Sequence, residues 1–596
     1  MQKLDGYLPL YWDDKTGSLW MEINKFDTEL LYATGLTAGL GSNDIGLDRG
    51  QQGQGRVIKF HRVGPRVMVV EPNYTFRADT SNPDERRAVE DAFAQSILYG
   101  FTVVAENDGR VLVDATDFFM RDVMNAATRL RPGTYRVDRT RSAIDMPLTK
   151  VFPKNTEVDV TLTFANEAGG GGRGGGLGPT QGPPPVDSPI AAAGGRGGGM
   201  FSGTVASVTP SPEAVTLREH HTFAELPDGN YKPRYDDPRA GYGGLEYVDY
   251  AAPLGTQMVD HLLRRHRLEK VDPSARVSDV KKAIQYYVDR GTPEPIRTAL
   301  LEGARWWAQA FEAAGFRNAF KVDILPEGAD PMDIRYNMIN WVHRSTRGWS
   351  SGATIADPRT GEIIKGTVEL GSLRDRQDYL IFEGLLAPYK NGTETPAILT
   401  QTALARIRQL AAHEVGHTLG LGHEYYNSNK GWISVMDYPH AAEKLNADGT
   451  IDLSGAYPAR IGDWDKVAIA YGYSEFPKGT DEKAALEKIL NDAWKQDLVY
   501  LTNQDIAASP HADQWNNGPG IDMGAELARV MKIRRAALDH FDETVIKKDA
   551  PMATMEEALV PLYMYHRYAV EAAASTVAGQ DYIYAMRGDG RKPTEW

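Results

Sequence analysis

Apolar and polar positions alternate with a period of two through much of the first third of the chain. Residues 6–12 and 18–23 flank Asp13-Asp14-Lys15-Thr16-Gly17, residues 56–63 and 66–71 flank Gly64-Pro65, and residues 101–105 and 110–114 flank Asn107-Asp108-Gly109. Each pair of runs across a turn-forming cluster predicts a hairpin. One helical interruption is expected at 83–98, where Ala88, Phe93 and Ile97 share a side. Strands at 157–164 and 214–223 bracket residues 168–200, a stretch of Gly and Pro that cannot bury enough apolar area to offset chain entropy. That composition predicts a flexible insertion inside one domain. His220 and His221 are adjacent, so in a strand they face opposite ways and are poorly placed to share a metal. His61, alone in a strand pattern, reads as structural.

Beyond residue 268 the period changes. A strand at 284–288 precedes a helix opened by Thr292 and Pro293, with Ile296, Leu300, Trp307 and Phe311 on one face and Gly315 at its end. Strands at 320–325 and 334–342 follow, and strand–helix–strand order predicts parallel pairing. A hairpin, 352–356 and 362–370, turns at Asp357-Pro358-Arg359-Thr360-Gly361. A long helix at 400–419 and another at 463–471, capped by Asp463 and closed by Gly472, come next. Helices at 481–495, 523–541 and 552–576 end the chain, the last bent at Pro561, with Tyr563, His566 and Tyr568 expected in core or interface. The fold class expected is α+β multidomain. A strand-rich N-terminal module (1–226) leads through a connector (227–267) to an α/β domain with a mixed sheet (268–475) and a helical C-terminal region (476–596).

Composition narrows the function. The 596 residues are enough for three or four domains, and 42% hydrophobic with 24% charged residues is a globular balance. A formal charge of −14 argues against nucleic-acid binding. There is no cysteine, so disulfides, a cysteine-switch prodomain and thiolate metal ligands are all excluded. No apolar run is long enough to span a bilayer, and MQKLDGYLPLYWDD lacks the pattern of a signal peptide.

The candidate chemistry lies in one stretch, His413-Glu414-x-x-His417-x-x-Gly420-x-x-His423. Histidines four apart on a helix point the same way, so His413 and His417 can share a zinc ion with Glu414 beside a zinc-bound water. Gly420 can turn the chain and deliver His423 as third ligand. Three nitrogen ligands leave one position open, the arrangement of a catalytic zinc.

With Ser434-Val435-Met436-Asp437-Tyr438 downstream, this stretch resembles a metzincin zinc peptidase and its methionine-turn. The resemblance implies Glu414 as general base, Met436 beneath the ligands, and Tyr438 as a metal-adjacent residue of the astacin and serralysin type that can stabilise an oxyanion. Glu424 after His423 is astacin-like, although the flanking sequence is not. The phrases Gly6-Tyr7-Leu8-Pro9-Leu10-Tyr11-Trp12 and Asp357-Pro358-Arg359-Thr360-Gly361-Glu362 are similar to those of large bacterial met-zincins with an uncharacterised N-terminal module. For residues 352–356 the resemblance implies the edge strand that pairs with an extended substrate. It also implies an exported protein, periplasmic or secreted, whose leader is absent from this chain.

The expected function is therefore zinc-dependent endopeptidase, with one catalytic Zn2+ and a peptide or protein substrate. The alternatives are a gluzincin, a peptidase of small peptides only, and a non-catalytic zinc-containing binding or scaffold protein. The Gly420–His423 pair and the methionine-turn oppose the gluzincin, and an intact Glu414 opposes the scaffold. His440 is left out of the ligand set, which three histidines already complete. For the connector, packing is the expectation, and a latency segment bringing Asp236 or Asp237 to the zinc is the alternative.

Overall fold

Two sheets, built for different reasons, carry the chain. The computed structural model describes every residue except 43, 168–203, 346–347, 427–429, 439–440, 503–521, 580 and 596. The insertion at 168–200 and His440 therefore lie outside the described residues. Among the described residues no helix is long and apolar enough to cross a membrane.

Among the described residues the first sheet has 13 strands. Its centre is β1 (Glu29–Ala38), β2 (Gln52–Val63), β3 (Asn155–Asn166) and β4 (Ala214–Ala224), all joined antiparallel. The three hairpins form as Leu10–Asp13 with Ser18–Ile23, Gln52–Val63 with Arg66–Glu71, and Ser96–Asn107 with Arg110–Asp114. The expected helix at 83–98 stops at Ala92, because Phe93 stacks on Phe76 at 4.0 Å and Ser96 and Ile97 already pair with Glu71 and Val70. β3 and β4 pair from Asn155↔Ala224 to Ala165↔Ala214, so the strands on either side of 168–203 are direct neighbours. Inward side chains such as Phe60, Phe118, Leu162 and Phe223 fill the core.

Buried charge links this sheet to the second. His220 sits between Asp159 Oδ2 and Glu157 Oε2, each 2.8 Å from a ring nitrogen, and all three side chains are buried. Asn155 donates to Glu157 at 2.6 Å and to Asp333 at 3.3 Å, and Lys365 Nζ donates to the Asp333 carbonyl at 2.8 Å. His221 faces the other way, toward the Tyr32 hydroxyl and the Phe119 carbonyl, and His61 pairs with Asp27 at the surface.

The second sheet comprises β5 (Ile284–Val288), β6 (Phe320–Ile324), β7 (Asn337–Val342), β8 (Ser351–Ala356) and β9 (Ile363–Gly371). Its order is β6-β5-β7-β9-β8, parallel throughout except for the edge strand β8. The helix between β5 and β6 returns the chain across the sheet, as parallel pairing requires. It begins at Ile296 rather than Pro293, since Thr292 closes a turn onto the Asp289 carbonyl, and it divides at Trp306 into α1 (Ile296–Arg305) and α2 (Trp307–Ala313). α3 (Arg374–Leu386) and α4 (Ala397–Thr418) follow, and α4 packs along α1 and against β8.

α5 (Asp463–Tyr473) is capped by Gly462, not Asp463, and runs through Gly472 instead of ending there. The Arg234 guanidinium donates to the carbonyls of Tyr471 and Ser474, satisfying that end of the helix. The C-terminal region is helical: Glu482–Lys495, Met523–Asp539, Met555–Tyr563 with Pro561 inside, and Arg567–Ala574. Tyr563, expected in core or interface, is 58% exposed, and Tyr565 is a tyrosine buried there. A strand-rich N-terminal region, a mixed sheet and a helical C-terminal region together make an α+β multidomain chain.

The buried histidine gives the first sheet a pH signature. Burial alone would hold the His220 imidazole down, but Asp159 and Glu157 outweigh it and push its pKa up to about 10. The folded-state value is the raised one, so this contribution is complete below about pH 6.5 and is lost as pH climbs toward 10. Urea midpoints should fall across that window, and His220→Gln should flatten the fall; identical slopes in the two proteins would refute the role.

Candidate metal centre

The site is built on the C-terminal end of α4. His413 and His417 lie one turn apart, His413 only 1% exposed, and the helix closes at Leu419. Gly420 then adopts φ +101°, where a Cβ would stand 1.9 Å from the Arg264 carbonyl, so both conformation and space require glycine. The turn is held from outside by the connector. Gly243 N donates to the Gly420 carbonyl and Gly422 N to the Gly241 carbonyl, each at 2.8 Å, around an antiparallel bridge between Tyr242 and Leu421.

Both helix histidines are oriented by backbone. His413 Nδ1 donates to the Val435 carbonyl and His417 Nδ1 to the Leu421 carbonyl, each at 2.8 Å. That fixes the tautomer and leaves Nε2 of each ring as a bare lone pair. These lone pairs converge: His417 Nε2 lies 3.2 Å from His413 Nε2 and 3.1 Å from His423 Nε2. Two unprotonated nitrogens facing each other cannot form a hydrogen bond, and only a cation between them satisfies both. Nitrogens bound tetrahedrally to zinc at about 2.0–2.1 Å stand about 3.3 Å apart, so the triad fits that ion. Among the described residues these three histidines are the one group arranged to hold a metal. Burial holds all three below the ordinary imidazole range, His423 down to about 3, which keeps them neutral and able to ligate.

The other expected residues surround this point. The Tyr438 hydroxyl is 2.9 Å from His423 Nε2. Met436 is buried below α4, and a Cβ on Gly416 would stand 2.2 Å from its Sδ, so a side chain there would displace the methionine-turn. Glu414 is 5% exposed. Burial raises its carboxyl to about 8 against the downward pull of Arg406 and Arg374. Its carbonyl touches the edge strand, since a Cβ on Gly352 would lie 2.3 Å away. The Glu424 amide donates to the Met436 carbonyl at 3.2 Å, tying the third ligand's segment to the turn.

The connector aspartates stay away from this centre. Asp237 pairs with Arg239 at 2.7 Å, and neither it nor Asp236 joins the histidine group.

The residue that sequence reasoning missed is Asp465. Its carboxylate accepts from Ser434 Oγ at 2.6 Å, Val435 N at 2.9 Å and Gly462 N at 2.7 Å. It thus holds Val435 by its amide and, through Ser434 Oγ, the Met436 amide, and so places the Val435 carbonyl that orients His413. The available signal was its place at the third position of α5, where an acidic side chain reaches back to the cap.

A family model described as Met-zincin matches residues 395–596, and one described only as a domain of unknown function matches residues 50–271. No curated protein and no solved structure matches the chain. The Met-zincin match and the histidine triad together support a zinc metallopeptidase.

Asp465→Asn removes the charge and one of the two acceptor oxygens, turning a donor toward either the two backbone amides or the Ser434 hydroxyl. Loss of such support behind a ligand costs about 10–100-fold in metal affinity. Zinc titration against a competing chelator should show a loss of that size, while an unchanged affinity would remove Asp465 from the site.

Proposed function

We propose that this Met-zincin family protein is a zinc-dependent endopeptidase whose peptidase domain spans residues 268–475. The observation that carries the reading is the convergence of three imidazole Nε2 atoms beside a buried glutamate and the rim of a sheet. His413, His417 and His423 hold the ion. A zinc ion held there supplies Lewis acidity, polarising a carbonyl and making water a nucleophile near neutral pH.

Every other role belongs to side chains and backbone of the chain. Glu414 takes a proton from the attacking water and returns it to the leaving amine. Its buried setting supports a basicity closer to neutrality than that of an ordinary carboxylate. The Tyr438 hydroxyl, beside His423 Nε2, donates to the carbonyl oxygen as that oxygen gains charge. β8 aligns the substrate. It pairs with β9 on one side only among the described residues, and Ser351 and Ala353 are exposed. A strand with an open edge beside α4 binds an extended chain through backbone hydrogen bonds that do not depend on sequence. That open edge favours an extended peptide over a dipeptide-sized substrate, hence an endopeptidase.

Glu414→Gln is expected to retain zinc while losing about 10²–10⁴-fold in turnover of a quenched peptide library. His423→Ala should lose zinc by elemental analysis. A fully active Glu414→Gln protein, or a His423→Ala protein with full metal content, would overturn these roles.

A further inference from the structure

Between His417 and His423 the chain leaves α4, and the donors to its carbonyls change in kind. Leu419 N donates to the Val415 and Gly416 carbonyls and Gly420 N to that of His417, each at 3.0 Å. Thr418 is the first residue of this run whose carbonyl meets no backbone amide among the described residues. The helix has ended there, so a donor has to come from elsewhere in the fold, and a buried carbonyl without one is costly. It comes from His266.

The His266 side chain is buried against the end of α4, with Nε2 3.1 Å from the Thr418 carbonyl and 3.1 Å from the Tyr286 hydroxyl on β5. Neighbouring protons fix which group donates. Thr418 Oγ1 donates to the Val415 carbonyl at 2.7 Å. The Tyr286 hydroxyl donates to Thr418 Oγ1 at 2.8 Å, nearer than the Thr418 carbonyl at 3.3 Å. Nε2 is therefore the N–H that serves the Thr418 carbonyl. The next carbonyl is reached from the same residue. His266 N donates to the Tyr473 hydroxyl at 3.2 Å, and that hydroxyl donates to the Leu419 carbonyl at 2.9 Å. His266 also has a fixed seat. Arg265 N donates to the Gly361 carbonyl at 3.1 Å and Ile363 N to the Arg265 carbonyl at 2.8 Å, so the start of β9 holds the backbone beside it.

We infer that His266 is a positioning residue of the metal centre. By holding the Thr418 and Leu419 carbonyls it sets the direction in which the chain leaves α4, and so the point at which His423 Nε2 arrives. His413 and His417 are placed by the helix itself, whereas His423 depends on this exit. The inference rests on the zinc-binding part of the reading above and not on peptide hydrolysis, since a zinc protein without turnover would need His266 equally.

The test is the zinc affinity of the full chain, measured against competing chelators. His266→Leu removes the donor and keeps an apolar side chain in its place. It should weaken zinc binding by about tenfold or more, the scale of losing support behind a ligand. His266→Gln, whose amide nitrogen reaches about as far as Nε2, should restore most of that loss. Introduced into His423→Ala, the same His266→Leu change should cost little further, because the ligand it positions is already gone. Unchanged affinity in His266→Leu overturns the inference. So does an equal loss with and without His423, the mark of a general loosening of the fold. Tyr473→Phe removes only the hydroxyl between His266 N and the Leu419 carbonyl, and it decides the matter if His266→Leu does not fold. A loss of zinc affinity that requires His423 supports the inference, and no loss overturns it. Wild type that binds zinc but cleaves no peptide would sink the peptidase reading and leave this result standing.

Discussion

The centre depends on two backbone carbonyls. Val435 O and Leu421 O each take the Nδ1 proton of a histidine, and so turn the opposite lone pairs of His413 and His417 toward one point. A histidine on a helix has freedom about two bonds, and without those acceptors neither ring has a reason to face the other. The surrounding architecture serves to place these two oxygens. Val435 is fixed by Asp465 at the start of α5, and Leu421 by the bridge to Tyr242. The Trp307 indole donates to the Ala412 carbonyl at 2.8 Å, anchoring the helix between them from the α2 side.

The same dependence reaches the N-terminal sheet. Ile355 on the edge strand is buried with Leu31, Ala33 and Ala224, so β8 is held down by β1 and β4 rather than by its own sheet alone. Arg344, at the end of β7, reaches Asp48 in the loop between β1 and β2. Around them Asn155, Asp333 and Lys365 share one buried network. Opposed charges of this kind add little net stability, but they penalise any docking that leaves one of them unpaired. They fix how the two sheets meet, and with that the height of the edge strand above α4.

Local signals in the sequence were sufficient wherever short-range chemistry decides. Turn clusters such as Asn107-Asp108-Gly109 placed the hairpins, and strand–helix–strand order placed the parallel pairs of the second sheet. The spacing from His413 to His423 brought together the residues that the structure clusters. Long-range partners overrode local pattern elsewhere. Helical spacing at Phe93 yielded to stacking on Phe76 and at Ile97 to pairing with Val70, and Gly472 did not end its helix because Arg234, over two hundred positions earlier, satisfies the carbonyls there. Asp465 and Tyr242 were invisible as site residues for the same reason. Each acts through a contact with a segment that its own neighbourhood does not reveal.

The bridge between Tyr242 and Leu421 separates two kinds of boundary. The family match to residues 50–271 contains Gly241, Tyr242, Gly243 and Arg264, whereas the match to 395–596 contains the histidines. The two matches cover separate stretches, yet mechanically these are one part, because the earlier stretch holds the turn that delivers His423. A fragment beginning at residue 395 would carry the whole motif and lack its clasp. A change at residues 241–243 is therefore a change to the metal centre, as much as one within the motif itself.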